Sequence, residues 1–295
     1  MALAACSRSG AAQHGHVVAG GQPAAILIWA VAREKLAGWP RMPAPNVLTM
    51  LGAGSALPET GALSQSGGRA ANLEAIAALK PEIIIDYGDV TPQFQEIAAR
   101  NESKLGVPYR LIDGRLAATP QAFEEASRLI GAPRGLELAE ASRALLRQWR
   151  ALPAGPSFYY ARDADGLETG FAGSLATGVL DGANWANVAT GGENLKRVQR
   201  EAVAAWDPEV IVTLDRKFAE GAAADPLWRQ RRGGGKRRLL LLPDLPFGWI
   251  DRPPSVNRLV GCAWLVGGDE RALSTAQVLY GSHVRLGTAK AQWIA

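Results

Sequence analysis

Thirteen residues of this chain return almost unchanged 127 positions later: Glu74-Ala-Ile-Ala-Ala-Leu-Lys-Pro-Glu-Ile-Ile-Ile-Asp86 and Glu201-Ala-Val-Ala-Ala-Trp-Asp-Pro-Glu-Val-Ile-Val-Thr213. Seven of the thirteen are identical and three more exchange isoleucine for valine, so the copies share one physical design. In each, an alanine-rich stretch spaces its larger apolar residues as a helix does and a proline ends it. An all-apolar run follows that suits a strand covered on both faces. Each copy is thus half of an α/β unit. The period is too long for a stacked solenoid and about the length of a small domain, which predicts two similar lobes with a cleft between them, a common place for a ligand.

The rest of the chain is compatible with that plan. Its 295 residues suffice for two cores, and 47% hydrophobic with 20% charged residues excludes a disordered or collagen-like chain. The longest apolar stretch, residues 24–32, is far shorter than the roughly 20 residues a membrane-spanning helix needs, and reads as a buried helix. A net charge of +4 is mild, and no nucleic-acid partner follows from it.

The first lobe is expected to open with a strand at Val17-Val18-Ala19, a turn at Gly20-Gly21-Gln22-Pro23 and the helix 24–32, followed by a short strand over 36–39. Residues 40–68, rich in Pro, Gly and Ser, read as loop. Asn72 caps the helix of the first repeat copy, and a strand over 82–87 follows Pro81. Thr91-Pro92 opens a helix to Leu105, and 108–112 is a further strand. Residues 119–152 are helical in pattern, broken at Gly131-Ala-Pro133, and would act as a stiff connector. The second lobe then begins with a strand at Phe158-Tyr-Tyr-Ala161 and passes through a Gly-rich stretch to the second repeat copy. It has a late strand over 239–242, helix from Pro254 onward, and a weaker helical pattern over 273–295.

Of the two cysteines, Cys262 lies in an apolar helical stretch and reads as a buried free thiol. Cys6 follows Leu3-Ala4-Ala5, which reads like the lipobox of a bacterial lipoprotein. The charged and apolar segments that belong before a lipobox are missing here, so the expected tether or truncated signal is residues 1–14.

Residues 72–85 and their second copy, the interlobe helical stretch, and Phe247-Gly-Trp-Ile-Asp-Arg-Pro-Pro-Ser-Val-Asn-Arg258 together resemble the periplasmic binding proteins of iron-siderophore, haem and cobalamin ABC importers. The resemblance implies an α/β fold of two Rossmann-like lobes with parallel central sheets, joined by a long rigid interlobe helix. The lobes would be 15–118 and 154–295, with the connector at 119–153. It implies a shallow cleft for a bulky metal complex, small hinge motion, and docking onto an inner-membrane permease through an acid on each lobe, for which Glu96 and Glu220 are the candidates. The protein would then be an exported monomer, periplasmic or anchored to the membrane through a lipid on Cys6. It would have no catalytic residues and no cofactor of its own, and its cargo would be an iron chelate of the siderophore or haem type.

The candidate binding residues follow from where parallel sheets meet ligands, at the loops after the strand carboxyl ends. These are Gly21, Gln22, Trp39, Tyr87, Tyr160, Arg162 and Ser174, with Trp249, Arg252 and Arg258 from the proline-flanked loop. Aromatic rings and guanidinium groups suit a large flat or anionic guest. Ordinary roles compete for each residue. Arg258 can pair with Asp251 and Arg162 with Asp163, while Tyr159 and Tyr160 alternate across a strand so that only one faces a cleft. No protein metal site is expected. His14-Gly-His16 sits at the amino end, and a chelator would supply most of the metal's coordination.

A two-lobed enzyme of the nucleotide-sugar glycosyltransferase or epimerase kind is the alternative. The chain has no Gly-x-Gly-x-x-Gly after the first strand, no phosphate-binding Gly-Lys-Ser/Thr loop and no Gly-x-Ser-x-Gly elbow to support it. The basic run from Arg229 to Arg238 is glycine-interrupted and without aromatic interleaving, and reads as a solvated turn.

Overall fold

The computed structural model describes residues 15–53, 57–64, 70–286 and 290–294; the expected tether, with Cys6, lies outside them. The first lobe runs β1 (Val17–Ala19), α1 (Gln22–Ala32), α2 (Pro45–Met50), α3 (Leu73–Ala78), β2 (Ile83–Gly88), α4 (Pro92–Leu105) and β3 (Tyr109–Asp113). Its sheet has the order β1-β2-β3, all parallel. The strand expected over 36–39 is not formed. Leu36 bridges Val17, whereas Trp39 bridges Glu59, so the chain leaves the edge of β1 before two successive residues can pair with the same neighbour.

The connector is a helical hairpin of α5 (Thr119–Ile130) and α6 (Arg134–Arg150), broken where expected, with Gly131 in the left-handed region at φ 70°. The second lobe follows as β4 (Ser157–Tyr160), β5 (Glu168–Gly170), α7 (Gly178–Asp181), β6 (Ala186–Asn187), β7 (Leu195–Arg197), α8 (Arg200–Trp206), β8 (Val210–Thr213), α9 (Arg216–Ala222), α10 (Pro226–Arg229), β9 (Arg238–Leu241), α11 (Arg258–Tyr280) and β10 (Gln292–Ile294). Its main sheet has the order β10-β9-β8-β4-β6, parallel except for β10. β5 and β7 form a separate antiparallel ribbon. The helical pattern expected over 273–295 stops at Tyr280. Gly281 follows at φ 117°, and the chain returns as β10 beside β9.

The repeat is reproduced at the level of single torsion angles. Lys80 and Asp207, also 127 residues apart, both adopt positive φ (50° and 46°) at the end of α3 and α8, immediately before Pro81 and Pro208. A residue before proline is driven out of the right-handed helical region, so each helix ends there and the following strand enters its sheet at a set angle. β2 lies between β1 and β3, and β8 between β4 and β9, so the two copies hold the same place in their sheets. Helix starts are equally local in origin. Asn72 Oδ1 accepts from the amides of Glu74 and Ala75 at 3.0 and 3.1 Å, Thr91 caps α4, and Asp215 caps α9.

Alternation along the strands sorts the core. Outward-facing Val18, Ile84 and Tyr109 fill a small cluster in the first lobe, and Tyr159, Ile211 and Leu239 one in the second. Inward-facing Ile85, Tyr87, Phe158, Tyr160, Val210 and Val212 instead join one continuous cluster with α1, α6 and α11. All eleven residues of α1 are buried, as the apolar run over 24–32 leads one to expect. The inner faces of both lobes therefore pack on the same helices.

Candidate functional site: the interlobe cleft

The loops after the strand ends of the two lobes meet around Arg258. This residue, at the first turn of α11, is fully buried. Its Nε donates to the Ser255 carbonyl at 3.0 Å and Nη1 to the Leu175 carbonyl at 3.1 Å, while Nη2 donates to the carbonyl of Gly114 just beyond β3. One guanidinium thus ties the end of a first-lobe strand to two second-lobe loops. The lobes also approach at Gly178, where an added Cβ would lie 3.9 Å from both Arg258 Nη1 and Leu116 Cβ.

The rest of the proline-flanked loop serves the same junction. Trp249 is fully buried, with its amide donating to the Pro243 carbonyl and its indole N–H to Leu245. Asn257 donates to the Gly248 carbonyl and accepts from the Ser255 amide, and Ser255 Oγ reaches the Pro23 carbonyl at the start of α1. Trp249, a candidate binding residue from the sequence, therefore presents no surface to a ligand. Its ring is core, and the side chains of Ser255, Asn257 and Arg258 bond inward to backbone groups.

A second constellation lies at the end of β4. Buried Asp251 accepts from the Tyr160 hydroxyl at 3.1 Å and pairs with Arg162 Nε at 2.9 Å, and Arg162 also pairs with Glu168 at 2.5 Å. Arg162 therefore pairs with Asp251 and Glu168 and not with its neighbour Asp163, whose own ion-pair partner is Arg197. Arg252 stands 3.6 Å from Asp215 with its side chain 29% exposed, and adopts φ 63°, a strained region for a side-chain-bearing residue. Burial, and then the Asp251 charge, raise the Tyr160 phenol well above its ordinary value, so it stays a donor.

The other expected residues are dispersed. Tyr159 and Tyr160 are both fully buried, so neither opens onto a cleft surface. Tyr87 and Trp39 are 1% exposed, and Trp39 packs on Trp29 with ring centroids 5.2 Å apart instead of standing at a cleft mouth. Gly21 and Gln22 form the turn into α1, where Gln22 Oε1 accepts from the amide of exposed Arg41 at 3.0 Å. Ser174 is 7% exposed and shares a 3.0 Å hydrogen bond with Thr177, which in turn donates to Asp181.

Residues that sequence reasoning passed over complete the picture. Asp89, at the end of β2, is exposed in outline, yet partial burial raises its carboxyl against the lowering pull of Arg258. Asp113, at the end of β3, is also pushed up by burial, but its bonds to Arg115 and the charge of Arg258 hold it below the ordinary value. Both acids thus sense the Arg258 charge. Beside Asp113 a recess of about 400 Å³ opens where β3 passes into α5, its rim carrying Asp113, Arg115, Gln121 and Glu125. Deeper in the first lobe, Asp86 accepts from the Tyr109 hydroxyl at 2.9 Å beneath the Gly20 turn. A carboxylate inside an apolar strand was the signal for that pair. Among the described residues no group of three or more His, Cys, Asp or Glu is arranged to hold a metal ion.

No family model matches the chain, and no curated protein does. Solved structures do. An ABC transporter solute-binding protein from Sulfurospirillum deleyianum superposes with a TM-score of 0.77 at 22% identity, over 91% of this chain and 90% of that one. A periplasmic haem-binding protein from Pseudomonas aeruginosa gives 0.60 at 22% identity over 95% and 98%. The molybdate periplasmic binding protein MolA of Haemophilus influenzae, bound to molybdate, gives 0.64 at 18% identity over 91% and 93%. Each likeness spans both lobes. The resemblance carried by the Lys-Pro-strand repeat thus holds at the level of the fold: this chain has the two-lobed α/β architecture of ABC-transporter solute-binding proteins.

Proposed function

We propose that the protein is the extracytoplasmic solute-binding component of an ABC importer, taking an iron chelate of siderophore or haem type at the interlobe junction and delivering it to a permease. The observation that carries this reading is the pair of matched lobes whose strand-end loops converge on one buried cation, Arg258. Function would come from affinity alone, with no chemical step and no resident cofactor, and a single copy of the chain would suffice. The lobes are taken as 15–118 and 154–295 on either side of the connector 119–153. Export agrees with the fold, and among the described residues no helix is long and apolar enough to cross a membrane. Anchoring through Cys6 remains part of the proposal.

Arg258 also favours an anionic cargo. Its three hydrogen-bond acceptors are neutral carbonyls, and it forms no ion pair among the described residues, so only the more distant Asp89 and Asp113 offset its charge. Carboxylate or catecholate oxygens of a chelate meet that requirement, and so does an oxyanion. Arg162 and Arg252, each beside a carboxylate, would be the side chains to turn toward it. Glu96 and Glu220 are the proposed permease contacts. Both are exposed, and each is the fifth residue of the helix that follows a repeat strand, α4 and α9.

Thermal unfolding with tryptophan fluorescence, run against ferric siderophores, haem, cobalamin, nickel-histidine and molybdate, tests the reading. A ligand present at about 100 times its dissociation constant adds about 2.7 kcal/mol. A response to one class names the cargo, and molybdate alone would replace the chelate by an oxyanion. A response confined to a nucleotide sugar would overturn the transport reading in favour of an enzyme.

A further inference from the structure

Positive charge is concentrated in one part of this chain. Six of its 32 Lys and Arg residues stand in Arg229-Gln-Arg-Arg-Gly-Gly-Gly-Lys-Arg-Arg238, while the whole chain carries a net +4. The run leaves α10, turns at Gly234 and Gly235 with φ 84° and 88°, closes through a bridge between Gln230 and Lys236, and enters β9 at Arg238. Arg238 is the first residue of a parallel strand. The run therefore occupies the pole of the second lobe away from the strand carboxyl ends, and so away from the cleft.

Only two of the six cations are neutralised. Arg237 is buried 2.7 Å from Asp207, and Arg231 lies 3.7 Å from Asp207 and 3.8 Å from Glu209. The side chains of Arg229, Arg232, Lys236 and Arg238 form no ion pair among the described residues, and the last three residues are exposed. A second, independent feature lies beside them. Trp293, on the edge strand β10, is 49% exposed, and the Arg238 guanidinium sits 5.0 Å above the centre of its ring.

An indole half out of the protein and unpaired cations at the same pole match the chemistry of a lipid headgroup layer. Guanidinium and ammonium groups take the phosphates, and an amphipathic ring rests at the polar-apolar boundary. Single-stranded nucleic acid is matched less well, because bases need several stacking rings along a groove and this pole offers one ring on an edge. We infer that this pole of the second lobe is a docking surface for an anionic phospholipid bilayer. Docking there leaves the cleft free, and the inference does not depend on what the cleft carries.

Co-sedimentation of the full chain with vesicles of phosphatidylcholine, alone or mixed with phosphatidylglycerol, is the test. Binding is expected only with phosphatidylglycerol and should vanish near 0.5 M salt, where screening lengths fall to a few ångström. Replacing Arg232, Lys236 and Arg238 together by Gln should weaken it about a hundredfold. Trp293→Phe should remove part of the fluorescence quenching by brominated lipid seen with the unaltered chain. All four positions are solvent-facing, and matching melting curves would show that the variants are folded. Equal binding to phosphatidylcholine alone, no binding at all, or an unchanged triple variant would overturn the inference. So would tighter binding to an oligonucleotide than to vesicles, lost in the same triple variant.

Discussion

Ser255 Oγ donates to the carbonyl of Pro23 at 2.6 Å, so the loop before α11 holds the first turn of α1 from 232 positions further along the chain. Arg258 does the same for the end of β3 through Gly114. The two bonds place the Phe247 to Arg258 run in the role of a clasp between lobes, and its residues have consequences for stability before they have any for ligands.

Arg258→Met would leave the Gly114 and Leu175 carbonyls without this donor, while the Ser255 carbonyl keeps the Arg258 backbone amide, and each orphaned acceptor costs about 1–3 kcal/mol. A loss of about 3 kcal/mol or more in urea unfolding is expected. Arg258→Lys, with charge but fewer donors, should fall between. Unchanged stability in both variants would show that the guanidinium serves a ligand only.

Asp86 supplies a pH dependence with a definite sign. Burial raises its carboxyl above the ordinary aspartate value, against the lowering effect of the Tyr109 and Tyr87 hydrogen bonds. The unfolded chain therefore releases this proton first as pH rises, and the fold loses stability from the ordinary aspartate range upward through the raised value. Asp86→Asn keeps an acceptor for the Tyr87 amide and cannot ionise. Unfolding free energies measured across acid to neutral pH should decline less in the variant. Parallel profiles would rule out a titrating Asp86.

Gly182 leaves room for one ring. A Cβ built there would lie 2.1 Å from Trp149 Cη2, and Trp149 joins α6 to α7 through its indole N–H on the Val179 carbonyl at 3.0 Å. Gly182→Ala should cost about 1–3 kcal/mol by overpacking. Gly221→Ala, in α9 with nothing within 4 Å of the added carbon, should instead gain up to about 1 kcal/mol. Two calorimetric melting points shifting in opposite directions would verify the pair.

Glu96→Lys with Glu220→Lys reverses charge at two exposed, equivalent helix positions. Uptake by cells should fall about tenfold or more if these acids meet cations on a permease, a loss of at least about 1.4 kcal/mol at that contact, with ligand affinity of the purified protein unchanged. Normal uptake would remove both residues from the docking surface.

What the sequence made legible is what local rules control. The helix, proline and apolar strand of each repeat copy, the Asn72 and Thr91 caps and the break at Gly131 are all short-range features, and all are found. The β10 edge strand was missed because three residues pairing with β9, over fifty positions back, leave no periodicity of their own. The orientation of side chains in the proline-flanked loop was not legible for a different reason. Prolines and an arginine mark a stiff loop, but the chain does not say which way a guanidinium points. Arg258 and Trp249 turn to backbone carbonyls instead of solvent. The Asp86–Tyr109 pair was visible only as a charge in the wrong company, Ile83-Ile84-Ile85-Asp86.

The inner apolar cluster runs from β2 through α1, α6 and α11 to β4 and β8 without a seam. A lobe pulled away from its twin would carry off half of that cluster and wet the remainder, so heat has no stable halfway house to populate. The molecule should melt once, as one body, and any opening at its mouth must be accommodated by bending at the rim while the hub stays dry.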